Sequence, residues 1–198
     1  MPTPLRLMRD VPSSGRETVR AKAPSDSEFR AAMRHLPGGV CVVTTGVGEE
    51  RTGFTATSVS SLSVEPPALL VSVKRASSSF PILARSRVFG VNVLAREHIE
   101  VADHFAGAAG APGVDRYRSG SWVTRTLGVW LLSDALAALE CEVEEIIERH
   151  THAIVIGRVK DLTISDGAGA LVYWRGGFDQ LGWSQEELSR AIGLTPAG

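Results

Sequence analysis

The chain has 198 residues, a formal net charge of -1, 43% hydrophobic residues and 22% charged residues. This length allows one domain with a sizeable hydrophobic core, and the composition is that of an ordinary globular protein. Because the net charge is close to zero, the chain as a whole does not attract nucleic acid or acidic membranes, and neither is expected as a partner.

The sequence also lacks the usual marks of export. No apolar run approaches the roughly 18–20 residues that cross a bilayer as a helix. The charged N-terminus has no apolar core of the kind that a secretion signal needs. The two cysteines, Cys41 and Cys141, lie singly in apolar runs, which is typical of reduced, buried thiols. We therefore predict a cytoplasmic protein.

The chain divides into three parts by composition. Residues 1–24 mix Pro, Ser, Arg and Lys without periodicity and predict a flexible basic arm. Residues 25–183 are expected to fold as one domain, and 184–198 as a C-terminal helix and tail. The domain opens with Ser25 and Glu28 at the spacing of a capping box, which predicts a helix to about His35.

Strands dominate the predicted elements of the domain. Apolar, β-branched runs predict strands at 40–45, 68–73, 88–94, 153–159 and 171–174. Residues 139–144 alternate between apolar and acidic side chains, which predicts a half-exposed strand with a bulge where the pattern breaks at Glu144 and Glu145. With only three or four short helices, we expect an antiparallel barrel whose ends the helices cover.

The segment from Thr55 to Ser63 is dense in hydroxyl side chains and lies between apolar runs. Because Ser and Thr compete with the backbone for hydrogen bonds, the segment does not predict a regular helix. It is typical either of a plain turn or of a wall of small donors that holds a polar, flat or phosphorylated ligand. A long segment at 107–128, rich in Gly, Ala and Arg, predicts a functional or mobile loop.

A second group of hydroxyls, Ser77, Ser78 and Ser79, precedes a predicted helix and follows Lys74 and Arg75. At a helix start such residues can act only as a cap, or they can bind an anion together with the free amides and the two cations. Because both hydroxyl-rich segments lie next to strand ends, together they predict a cradle for a phosphorylated cofactor.

Familiar catalytic signatures are absent from the sequence, including a P-loop, a dinucleotide fingerprint and a nucleophile elbow. His150 and His152 are spaced as on one face of a strand. They could ligate a metal, but no third ligand can be named. The alternatives are a substrate-orienting histidine or plain surface histidines, and we predict no metal site.

A series of short motifs follows in a fixed order along the chain. They are Phe29-Arg30, Gly39–Thr45, Gly53–Ser58, Ser63–Pro67, Phe89–Leu94, Phe105–Gly107, Leu139–Cys141, His152, Gly157–Val159 and Leu171–Tyr173. Together, over about residues 28–181, they resemble the short-chain flavin reductases, the reductase components of two-component flavin-dependent monooxygenases.

This resemblance implies a mainly β fold, a Greek-key split β-barrel with a few short covering helices, that binds FMN or FAD and forms a homodimer. It implies that NADH, or NADPH, reduces the flavin, which then diffuses to a partner monooxygenase. His152 matches the family histidine near the nicotinamide. By position, the implied cofactor-binding residues are His152 with Thr55, Ala56, Thr57, Ser58, Val59, Ser60, Ser61, Ser72, Val73, Ser77, Ser78, Ser79, Phe105, Ala106 and Gly107.

The chain departs from the usual family pattern in two places. His150 and Thr151 stand where Gly-Asp often precedes the family histidine. Thr57 and Ser58 replace the usual Asn-Ser or Asn-Ala, and Val59 replaces the aromatic residue that follows. Both differences bear on the flavin preference and on the pose of the nicotinamide.

The implied reaction asks little acid–base chemistry of the protein. Hydride passes from the nicotinamide to the flavin, so the protein has to hold the two rings at reacting distance and exclude water. Backbone amides near Thr57 to Ser60 can stabilise negative charge on the flavin, and we expect His152 to position the nicotinamide. Two alternatives stay open: a flavin carrier or sensor without turnover, and a split-barrel oxidase that keeps its flavin and acts directly on a small substrate.

Overall fold

The computed structural model describes residues 22–107, 113–165 and 169–182. Within these ranges three α-helices form, α1 (Asp26–Met33), α2 (Phe80–Ser86) and α3 (Ile99–Ala106). The strands are β1 (Gly38–Gly39), β2 (Cys41–Thr45), β3 (Thr52–Ala56), β4 (Ser60–Val64), β5 (Pro67–Lys74), β6 (Val88–Val93), β7 (Trp122–Thr124), β8 (Trp130–Leu132), β9 (Ala137–Arg149), β10 (His152–Ile164), β11 (Ala170–Trp174) and β12 (Gly177–Leu181). Most of the predicted arm and the helix predicted from Ser184 lie outside the described residues. None of the described helices is long and apolar enough to cross a membrane.

The strands form one large antiparallel sheet and two small ones. The seven-stranded sheet has the order β3-β2-β6-β9-β10-β5-β4. The hairpin of β9 and β10 lies in the interior of this sheet, and each of these strands is 13 residues long. A second sheet has the order β1-β11-β12, and β7 pairs with β8. The predicted mainly β, antiparallel architecture is confirmed.

Two hydrophobic cores lie on opposite sides of β2. Val42 packs with Leu94, Phe105 and other residues in one core, whereas Cys41 and Val43 pack in the other. Successive side chains of a strand point to opposite faces, so a strand buried on both faces reads as a continuous apolar run. This explains why the sequence of β2 shows no alternation, since all five of its residues are buried.

Helix α1 begins with the predicted capping box. The Ser25 N–H donates to Glu28 Oε2 (2.7 Å), and the Glu28 N–H donates to Ser25 Oγ (3.3 Å). Hydrogen bonds from the Ser25 side chain and backbone lower the pKa of the Glu28 carboxyl. The helix ends at Met33, two residues before the predicted end, and Leu36 could not continue it because a residue that precedes a proline avoids the helical region.

The predicted bulge in β9 is confirmed at Glu144. Ile156 pairs with Glu145 and Gly157 pairs with Val143, which leaves Glu144 without an opposite residue. The expected alternation, however, is wrong at Glu140, whose side chain is 0% exposed. Both of its carboxylate oxygens accept the Leu127 N–H, at 3.1 and 3.0 Å. A loop distant in sequence therefore covers a position that local alternation assigns to solvent.

Both cysteines are buried and unpaired, as predicted. Burial raises the pKa of the Cys41 thiol to about 12. Burial, with a smaller effect of the charge on Glu140, raises the pKa of Cys141 to about 12 as well. These thiols are part of the core, because a neutral thiol behaves there as a small apolar side chain.

Candidate functional site

A groove opens between the end of β3, the end of α3 and the hairpin of β11 and β12. It encloses about 280 Å³, close to the lower end of small-molecule sites, which span roughly 300–1,000 Å³. Its lining residues are Val40, Thr55, Ala56, Thr57, Ala106, Tyr173 and Phe178. The groove thus brings together four of the predicted cofactor-binding residues, Thr55, Ala56, Thr57 and Ala106.

One side of the groove is formed by Thr55, Ala56 and Thr57, which we call the hydroxyl wall. Thr55 Oγ1 donates to Ala102 O (2.5 Å), which ties the wall to α3. Ala56 ends β3, and Thr57 lies just beyond it with its side chain exposed. The Thr55 hydroxyl therefore holds the wall in place, and Thr57 presents its side chain to the groove.

The hairpin of β11 and β12 contributes Tyr173 and Phe178 to the groove, and we call this pair the aromatic wall. The two residues are paired across β11 and β12, and their rings meet edge to face with centroids 5.6 Å apart. Arg175 and Gly176 make the connecting turn, both with positive φ (52° and 92°), as a two-residue hairpin requires. Tyr173 is 41% exposed, so its ring is open to a ligand.

The two walls belong to different sheets that come close at β1. A Cβ atom on Gly38 would lie 2.8 Å from Thr57 Cβ. Only glycine lets β1, which pairs with β11, approach the hydroxyl wall this closely. The aromatic wall was missed in the sequence. The available signal was a pair of aromatic residues on either side of the turn Arg175-Gly176.

The second predicted element, Ser77, Ser78 and Ser79, precedes α2 as expected, and we call it the serine loop. Ser79 is 0% exposed, and its hydroxyl donates inward to Gly53 O (3.0 Å). The Ser77 Oγ is buried and has no hydrogen-bond partner among the described residues, while Ser78 is exposed. In the serine loop the Ser77 hydroxyl is therefore unsatisfied and the Ser78 hydroxyl is exposed, whereas the Ser79 hydroxyl stabilises the fold.

The two cations beside the serine loop have different surroundings. Lys74 is exposed at the end of β5. Arg75 forms an ion pair with Glu148 (2.5 Å), and it also donates to His150 O (3.0 Å). Arg75 thus joins the loop to the hairpin turn between β9 and β10, and the Lys74 ammonium remains exposed beside the loop.

His152 is the first residue of β10 and pairs with Lys74 of β5. It is exposed, and its Nδ1 lies 2.8 Å from Thr151 Oγ1. It does not line the groove, and its proposed role toward the nicotinamide stays a prediction. The premise that His150 and His152 share a strand face is wrong, because His150 lies in the turn with φ 50°. No metal-binding group of His, Cys, Asp or Glu occurs among the described residues.

The remaining predicted cofactor-binding residues do not line the groove. The Ser58 hydroxyl donates to Ser72 O (3.0 Å) and accepts the Ser72 N–H (3.3 Å). The following residues lie in or against the cores, or at the surface: Val59, Val73 and Phe105 are packed in the cores, whereas Ser60, Ser61 and Gly107 are exposed. Their predicted contacts with a cofactor stay predictions.

The sequence and the fold of this chain match known proteins. A sequence model described as flavin reductase like domain matches residues 33–182. The chain belongs to the flavin reductase family. The NADH:FAD oxidoreductase SgcE6 of Streptomyces globisporus superposes with a TM-score of 0.73 at 31% identity, covering 81% of this chain and 97% of that one. The flavin reductase component BorF of a bacterial tryptophan halogenase superposes with a TM-score of 0.74 at 30% identity, covering 80% and 99%. The predicted split-barrel fold is therefore confirmed.

Curated relatives of this flavin reductase carry the same activity in their names. "FMN reductase (NADH) RutF 2" of Rhizobium rhizogenes is 38% identical over 147 residues, which are 74% of this chain and 84% of the relative. The 4-hydroxyphenylacetate 3-monooxygenase reductase component of Pseudomonas aeruginosa is 34% identical over 158 residues, 80% of this chain and 93% of the relative. The predicted family is confirmed.

The residues present fit a flavin. A flat ring suits a groove that small side chains and an aromatic pair line together. The buried, unsatisfied hydroxyl of Ser77 and the exposed Lys74 ammonium suit a phosphate group. From Gly53, which Ser79 contacts, to Thr57 the extended chain covers about 13 Å at ~3.3 Å per residue. That separation suits a ligand with a ring at one end and a phosphate at the other.

Proposed function

We propose that this chain is an NAD(P)H-dependent flavin reductase that binds the isoalloxazine ring of FMN or FAD in the groove. The observation that carries the proposal is the chemistry of the groove lining. It combines hydroxyls with an aromatic pair, and among the described lining residues none is a carboxylate, a histidine or a cation. Such a site orients flat rings and offers no carboxylate or imidazole for proton transfer, which suits hydride transfer between two bound rings.

Each part of the site has a separate task in this reaction. When bound, the flavin provides an electron-accepting ring and the nicotinamide provides the hydride. Tyr173 and Phe178 exclude water from one side of the groove, and Thr57 and the nearby backbone fix the orientation of the ring on the other. Ser77 and Lys74 bind the phosphate, which anchors the flavin without touching the reacting atoms.

The product of this reaction, reduced flavin, serves a partner enzyme. Two of the relatives are named as reductase components, one of a monooxygenase and one of a halogenase. By analogy, this flavin reductase supplies reduced flavin to an oxygenase in the cytoplasm. The two buried thiols, which stay reduced there, support that compartment.

We further propose that the enzyme is a homodimer. Strand β4 is an edge of the large sheet, and it carries Leu62 (50% exposed) and Val64 (88% exposed). An exposed apolar edge strand favours association with a second copy. Light scattering on the purified protein tests this by mass, and a monomer at micromolar concentration would refute it.

One assay tests the main proposal. NADH oxidation by the purified protein is followed with and without added free FMN, FAD or riboflavin, under air and without oxygen. Turnover that depends on added flavin supports the reductase. Absence of turnover with bound flavin supports a carrier or sensor, and turnover of another donor by a tightly held flavin supports an oxidase. The Ser165→Ala variant serves as a control. It removes a hydrogen bond from the Ser165 hydroxyl to Ala135 O outside the groove, and it should keep the parental rate of NADH oxidation.

A further inference from the structure

The segment Gly113–Arg118, a 3₁₀ helix, holds the strand that carries the hydroxyl wall. Strand β3 is an edge of the large sheet, paired with β2 on one side and with no strand of the described residues on the other. Backbone carbonyls of an edge strand need other partners when they are covered. Here side chains take the place of a neighbouring strand.

The carbonyls at the start of β3 accept these side chains. Tyr117 Oη donates to Thr52 O (2.7 Å), and Arg116 Nη1 donates to Gly53 O. The same Gly53 carbonyl accepts the Ser79 hydroxyl (3.0 Å), and Ser79 Oγ lies 3.1 Å from Thr52 Oγ1. The serine loop and the 113–118 segment therefore meet on two consecutive residues of the strand that leads to the hydroxyl wall.

The ring of Tyr117 is itself fixed by its neighbours. It meets Phe105 edge to face at 4.9 Å and Trp122 at 4.9 Å, and the Arg51 guanidinium lies 5.7 Å from its centre. Phe105 packs closely against Gly53, where a Cβ atom would lie 2.7 Å from Phe105 Cε1. Burial raises the pKa of Tyr117, so its hydroxyl remains a donor over the ordinary range of pH. A fixed donor of this kind holds β3 in one position.

We propose that Tyr117 and Arg116 are positioning residues that hold the hydroxyl wall at a fixed separation from the serine loop, and so set the preference of the enzyme for a phosphorylated flavin. This inference rests on the proposed binding of the ring at the groove and of the phosphate at the serine loop. Neither residue lines the groove. They act through β3, because a displaced strand would present the ring and the phosphate sites at the wrong spacing for one ligand.

The ratio of KM for riboflavin to KM for FMN tests the proposal. The two flavins share the ring and differ in the phosphate, so the ratio reports how well both sites are engaged together. The parent should favour FMN. Tyr117→Phe keeps the buried ring and removes the bond to Thr52 O. It should reduce the preference for FMN about three- to tenfold, as expected for one lost hydrogen bond.

Two further variants complete the experiment. Arg116→Gln removes the guanidinium that donates to Gly53 O, and it should shift the ratio in the same direction. This variant keeps the inference testable if Tyr117→Phe does not fold. Ser165→Ala is the matched control, because it deletes a hydroxyl bond to a backbone carbonyl (2.9 Å) away from the site. It should leave the ratio at the parental value.

A parental ratio in both Tyr117→Phe and Arg116→Gln would overturn the inference, and would leave these residues a structural role only. A parent enzyme that uses riboflavin as well as FMN would overturn it too, together with the proposed phosphate site. The reductase activity is judged separately, by the dependence of NADH oxidation on any added flavin.

Discussion

Two segments of the chain, Thr55–Ser63 and the serine loop, are alike in being rich in hydroxyl side chains. In each segment some hydroxyls bond to the protein backbone, and others are available to a ligand. Thr55, Ser58 and Ser79 point inward and bond to backbone groups of other elements. Thr57 and Ser77 are left to meet a ligand. Thr57 is exposed in the groove, and the Ser77 hydroxyl is buried without a partner in the part of the chain that the structure describes. A dense run of hydroxyls therefore marks a candidate site, but some of its members bond to the protein backbone and hold the others in place.

The largest expected effect of breaking this division is on stability. Ser79→Ala leaves the buried Gly53 carbonyl and the Thr52 hydroxyl with fewer partners, and should lower the free energy of unfolding by about 1–3 kcal/mol. Urea unfolding measures the change. The exposed neighbour gives the control, since Ser78→Ala should unfold like the parent. Equal stability of all three proteins would show that the Ser79 hydroxyl does not stabilise the fold.

Ser77→Ala should have the opposite profile. It removes a hydroxyl that has no hydrogen-bond partner among the described residues, so stability should not fall. A hydrogen bond to a charged phosphate contributes about 1.5–3 kcal/mol, so KM for FMN should rise about tenfold or more. Steady-state kinetics with FMN and riboflavin measure this, and KM for riboflavin should stay near the parental value. A rise for both flavins would place Ser77 at the ring instead.

Cys41 and Cys141 are buried in the core, so they contribute to stability and not to ligand binding. Their folded pKa of about 12 lies above the usual 9.0, so the unfolded chain loses these protons first as the pH rises. Stability is complete below about pH 9 and falls toward pH 12, by about 1 kcal/mol per thiol at pH 10. Urea unfolding at pH 8 and pH 10 measures the slope. The double variant Cys41→Ala, Cys141→Ala should show a smaller slope, and an unchanged slope would contradict the assignment.

The smallest expected effect concerns His152, which lies outside the groove lining of its own chain. His152→Ala should raise KM for NADH about threefold, the value of one weak polar contact, and leave KM for FMN unchanged. His150→Ala, in the adjoining turn, is the control and should not alter either constant. NADH kinetics like those of the parent would remove His152 from the nicotinamide site.

Local sequence accounts for six of the described strands (β2, β5, β6, β9, β10 and β11), the capping box and the bulge at Glu144, because each depends on neighbouring residues. It does not account for the aromatic wall or the Tyr117 contact, because these come from pairings across the chain. Tyr173 reaches the groove through β1 and β11, and Tyr117 reaches β3 over a separation of 65 residues. The burial of Glu140 under Leu127 has the same origin.

The most direct test of the account is a crystal structure of the enzyme with FMN. We predict the isoalloxazine ring in the groove between Thr57 and Tyr173, with the phosphate bonded to Ser77 beside Lys74. A ring outside this groove, or a phosphate that does not contact the serine loop, would contradict the central claim that β3 joins the two parts of one flavin site.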